Sequence, residues 1–127
     1  MKSKSLRFAA IIASVLVFSA LVFAHHGSSA YETSTTLTFK ATVTEFLFVN
    51  PHCQIYFDAK NDKGEVEHWQ GELTAPNKLA RAGWTKHSLN PGDQITVGGF
   101  AGKNAGHSLW IRKLIGPDGQ SLLLSEE

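Results

Sequence analysis

Six histidines, at positions 25, 26, 52, 68, 87 and 107, are the residues of this chain whose type and placement could do chemistry. Two are adjacent, His25-His26, and they follow directly on an apolar stretch that runs from Phe8 to Phe23. If the chain is cut after Ala24, the free α-amine and the Nδ1 of the same terminal His25 can chelate one metal in a favoured six-membered ring. One further imidazole completes a T-shaped set of three nitrogens. A tetragonal nitrogen set suits Cu(II), which heads the divalent affinity order, with Zn(II) below it. The α-amine, with an ordinary pKa of about 7.7–8.0, must lose its proton to bind, so affinity should weaken in acid.

The second imidazole is assigned first to His52, in Asn50-Pro51-His52, because Pro51 fixes the backbone before it and a rigid ligand loses less entropy. His26 is a further ligand or faces solvent, since adjacent residues of an extended segment point oppositely. His107 and His68 are reserves. Glu32, Glu45 or Glu72 could orient a ligand imidazole through a hydrogen bond, and the sequence does not choose among them. The bland readings stand beside these: paired histidines in a disordered leader, His52 bonded to a turn, and His68 and His87 as ordinary surface residues. Cys53 adjoins His52 but should project to the opposite face, as a small buried hydrophobe rather than a thiol ligand. Trp69, Trp84 and Trp110 could stack on a sugar, but tryptophan in so small a domain more often fills the core. Gly98-Gly99 lacks the strand-then-helix setting of a phosphate loop, and no nucleophile elbow is readable.

The front of the chain has the layout of a secretory signal peptide: Lys2, Lys4 and Arg7, then the apolar stretch, then Ala24. Seventeen of the first 24 residues are apolar, and the 16-residue stretch is shorter than the roughly 20 residues that span a bilayer core. The expectation is therefore export to the periplasm with no stable membrane anchor after cleavage. Val22-Phe23-Ala24 and Ser28-Ser29-Ala30 both satisfy the cleavage rule; the first lies closer to the end of the apolar stretch and is favoured. The mature part then carries 9 Lys and Arg against 11 Asp and Glu, too few clustered cations for a nucleic-acid face. A single Cys excludes an internal disulfide and any four-cysteine metal site.

The chain divides into a signal peptide at 1–24, a polar leader at 25–35 and one β domain at 36–127. Leu37 to Val43 alternates apolar and polar residues, and the continuous run Phe46 to Val49 predicts a bulge where the strand becomes buried on both faces. Asn50-Pro51 ends or bends that strand. Gln54 to Lys60 and Glu65 to Leu73 form a hairpin about Asn61-Asp62-Lys63-Gly64. Ala75 to Gly83, with Pro76 near its start, predicts a two-turn helix followed by Trp84 as a plug. A fourth strand follows Asn90-Pro91-Gly92-Asp93, and a fifth runs from His107 to Ile115. The expected fold is mainly β, a five-stranded OB-like barrel with one short helix between strands 3 and 4; a different small barrel or sandwich competes. Its expected core is Phe39, Val43, Phe48, Ile55, Phe57, Trp69, Leu79, Trp84, Ile95, Val97, Leu109 and Ile111.

The chain resembles a family of small exported bacterial proteins defined as a domain of unknown function. The matching pieces are His25-His26-Gly27-Ser28, Asn50-Pro51-His52, Trp69 to Glu72 followed by Pro76, Leu79 to Trp84, and Leu89 to Asp93 before Ile95. The resemblance implies export and a single domain, and it brings no activity; the metal reading comes from the residues alone. Two functions are expected in competition. The first is a non-enzymatic copper-binding protein, with zinc as runner-up, that uses His25, His52 and optionally His26 to sequester the ion or hand it to another exported protein. The second is a metal-free OB-type module that binds a protein, oligosaccharide or small ligand.

Overall fold

The computed structural model describes residues 28–104 and 106–125. The segment read as a signal peptide, and His25 and His26 with it, lie outside these residues. Among these residues, five strands, β1 (Tyr31–Leu47), β2 (Gln54–Lys60), β3 (Val66–Glu72), β4 (Gln94–Gly102) and β5 (Ser108–Ile115), are accompanied by one α-helix, α1 (Pro76–Arg81), between β3 and β4, and a single 3-10 turn is formed at Ser28–Ala30. The sheet closes as a barrel in the order β1-β2-β3-β5-β4. Neighbours are antiparallel except β3 and β5, which run parallel over Gln70–Glu72 against Ser108–Trp110. This is the OB-like barrel that the order of strands and helix predicts.

β1 serves two neighbours. Its middle part pairs with β4 from Thr36 to Thr42, and Ala41 to Leu47 pairs with β2, with a register shift between Val43 and Glu45. That bulge lies where the alternation of the sequence breaks. The strand begins at Tyr31, earlier than the domain boundary at 36 suggests, because Glu32 to Thr36 are all exposed and give no apolar period to read. Tyr31 itself pairs with Gly102, and regular pairing with β4 resumes only at Thr36. At α1 the backbone follows the local chemistry: Pro76 occupies the first turn, Leu79 is fully buried, and Gly83 takes a φ of +94° that releases the chain toward Trp84. Trp84 is buried and donates its Nε1–H to the Leu123 carbonyl at 2.7 Å, as a plug must when it carries one polar atom.

The core contains ten of the expected twelve residues, while Phe39 and Phe48 are only partly buried against it. It also holds Ala41, Cys53, Ala59, Leu73, Leu89 and Leu114. The two alanines face each other across β1 and β2, where a narrow barrel has room only for small side chains. Close approach also governs β4: a Cβ built on Gly99 would collide with the carbonyl of Trp110 and lie 3.0 Å from the Cα of Ile111.

Candidate functional site

His52 sits in the connection between β1 and β2, directly after the cis Asn50–Pro51 peptide. Its neighbour Cys53 is pinned by two backbone bonds, donating to Thr74 O at 3.0 Å and accepting from Leu73 N at 2.9 Å. Cys53 therefore points into the core and is fully buried; burial pushes its thiol pKa up, and a backbone hydrogen bond involving Val49 opposes this. His52, one residue before, projects outward with its side chain half-exposed. The Nδ1 of its ring meets Oε1 of Glu72, the last residue of β3. Of the three carboxylates considered from the sequence, Glu72 is the one that orients His52, while Glu32 instead accepts from the backbone N and Oγ of Ser34.

The second oxygen of Glu72 accepts the Tyr31 hydroxyl at 2.7 Å. The Tyr31 ring lies 5.8 Å from that of Trp110, which is itself the β5 partner of Glu72 in the parallel register. Trp110 also meets Phe100 at 5.9 Å and carries the Arg112 guanidinium 4.9 Å above its ring. The site is thus a relay of Tyr31, Glu72 and His52, backed by an aromatic wall on the outer face of β5 and β4. In its neutral form an imidazole ring so placed donates from Nδ1 and carries its lone pair on Nε2.

Desolvation by burial, and then the hydrogen bond and negative charge of Glu72, raise the Tyr31 pKa well above the usual tyrosine value. The folded state therefore keeps this proton at pH values where the unfolded chain, with a pKa of about 10, has lost it. Stability contributed by this group is complete below about pH 10 and falls as pH rises beyond it. Urea titrations between pH 9 and 11 should show a steeper alkaline loss for the wild type than for Tyr31→Phe. Parallel slopes would remove Tyr31 from the alkaline limb.

The remaining histidines are used separately. His68 pairs through Nδ1 with Oδ1 of Asp58 at 2.6 Å, its direct partner across β2 and β3. His107 stacks on Trp69 with ring centroids 4.8 Å apart, and its Nε2 is 3.8 Å from Oε2 of Glu67. His87 is exposed, and its backbone N–H donates to Thr85 Oγ1 at 3.1 Å. Neither reserve joins His52, and among the described residues no three His, Cys, Asp or Glu side chains gather as a ready metal group. His25 and His26 lie outside the described residues, so the ligand set read from the sequence is represented by His52 alone. Sequence reasoning missed Tyr31 and Trp110 as parts of this site. A signal for Trp110 existed: Leu109 and Ile111 were both expected inside, so the residue between them had to face outward.

A groove of about 840 Å³ opens elsewhere on the barrel, floored by Leu37, Phe39 and Trp69 and rimmed by Lys40, Asp58 and Gln94 among others. Among the described residues no helix is long and apolar enough to cross a membrane. No curated protein matches the chain. A family model does, over residues 12–109, a span that holds both the His25-His26 pair and the complete Asn50-Pro51-His52 piece. The chain that folds into this barrel and sets His52 against Glu72 belongs to the family of unknown function DUF6152.

Proposed function

We propose that this protein is an exported, non-enzymatic metal-binding protein of the periplasm that takes up Cu(II), with Zn(II) as the weaker competitor. After cleavage following Ala24, the α-amine and imidazole of His25 and the Nε2 of His52 supply three nitrogens, and His26 is an optional fourth. The observation that carries the reading is the carboxylate against His52 Nδ1. Histidines that ligate metals are held in this way by a partner on the other ring nitrogen, which fixes the tautomer and raises ligand basicity. Chain length sets no obstacle, since residue 25 precedes Tyr31 by six residues, a tether that reaches about 20 Å when extended. Such binding serves sequestration or handover to another exported protein.

A blocked amine tests the chelate. N-terminal acetylation of the mature protein keeps every side chain but removes the amine as a donor. Cu(II) affinity should drop at least about tenfold, the lower end of what even an outer partner of a metal site contributes, and the electron paramagnetic spectrum should lose one nitrogen. Equal binding by the acetylated and mature forms would end the proposal as stated. The groove floored by Phe39 and Trp69 favours the second reading, a metal-free module for a small ligand, since its volume falls within the range of about 300–1,000 Å³ usual for such sites.

A further inference from the structure

We propose that Tyr31 is a positioning residue: through Glu72, its hydroxyl fixes the neutral tautomer of His52 with the proton on Nδ1 and the lone pair on Nε2. The tautomer follows from contacts within the barrel, and only its use for metal binding rests on the reading of His52 as a ligand given above. A free neutral imidazole prefers the opposite tautomer, with the proton on Nε2. Something must reverse that preference, and a carboxylate accepting from Nδ1 does so. Glu72 alone is a weak means, because its side chain is one-third exposed, and an exposed pair readily exchanges its partner for water.

Tyr31 removes that freedom. Its hydroxyl occupies Oε2 at 2.7 Å, which leaves Oε1 as the oxygen turned toward His52. The phenol is held in its turn by the Trp110 ring at 5.8 Å and by the pairing of Tyr31 with Gly102 at the edge of β4. Trp110 stands beside Glu72 in the β3–β5 register, so one local framework places ring, carboxylate and imidazole together. The hydroxyl thus ties the first residue of β1 to the connection that carries His52.

The test reads the tautomer directly, without metal. Nitrogen-15 spectra of the exported protein at about pH 8.5, where free imidazole is neutral, should show His52 with a protonated Nδ1 and a bare Nε2. In Tyr31→Phe, which keeps the ring against Trp110, the Nε2-protonated form should become the major species. Glu72→Gln should give the same change and serves if Tyr31→Phe accumulates poorly. An unchanged His52 pattern in Tyr31→Phe, or an Nε2-protonated wild type, would overturn the proposal. A Cu(II) titration then separates the two ideas. About tenfold weaker binding in Tyr31→Phe, with no further loss when the change is added to His52→Ala, supports both. A moved tautomer with undiminished copper affinity supports the positioning role and counts against His52 as a ligand.

Discussion

Gly99→Ala is expected to destabilise the barrel by about 3 kcal/mol or more, enough to reduce soluble yield sharply. The added methyl has no rotamer to escape through. It would meet the Trp110 carbonyl and the Cα of Ile111, both backbone, so relief requires β4 and β5 to separate where they are paired. These strands are also the ones that close the sheet onto β1 and β3. A domain of this size has a total stability of about 5–15 kcal/mol, so the loss is a large share of it. Gly106→Ala is the matched control: its built Cβ meets nothing within 4 Å, and the change should stay within about 0.5 kcal/mol. Urea unfolding followed by tryptophan fluorescence measures both. A Gly99→Ala protein as stable as Gly106→Ala would mean that the strands are not as close as described.

His52→Ala should lower Cu(II) affinity by roughly 100-fold or more, beyond the 10–100-fold that outer partners of a metal site contribute, because it removes a ligand rather than its support. Stability should change by less than about 1 kcal/mol, since the side chain is half-exposed and its loss leaves Glu72 bonded to Tyr31. The comparison is with His68→Ala and His87→Ala. His68 lies four β3 positions from Glu72, and His87 lies in the segment after α1, so neither should alter binding more than about twofold. Isothermal titration at pH 7.5 and 5.5 reads all three. Binding should also weaken at the lower pH as the α-amine is protonated. If His52→Ala bound copper like the wild type, the barrel would contribute nothing to the metal and the groove beside Trp69 would become the better guide to function.

Much of the barrel was legible because strand alternation, turn residues and helix signals agree with one another. The hairpin about Asn61 to Gly64, the helix opened by Pro76, and the bulge after Val43 all arise from interactions between residues close in sequence. The start of β1 was not legible, because residues exposed on both faces carry no period. Parity with His52 puts Cys53 inside as a small buried hydrophobe, where it is found, and the same rule applied to β5 puts Trp110 outside.

The sequence by itself determined a five-stranded β domain with one helix, the inward and outward faces of its strands, and His52 as the imidazole on a rigid junction. Only the tertiary structure decided which acid serves that imidazole. Glu72 is twenty residues from His52 and forty-one from Tyr31. The choice among Glu32, Glu45 and Glu72 depends on how β3 lies between β2 and β5 and on where the first residue of β1 meets the end of β4. Strand order and register are set by closure of the whole sheet, and no local pattern encodes which side chains that closure brings together.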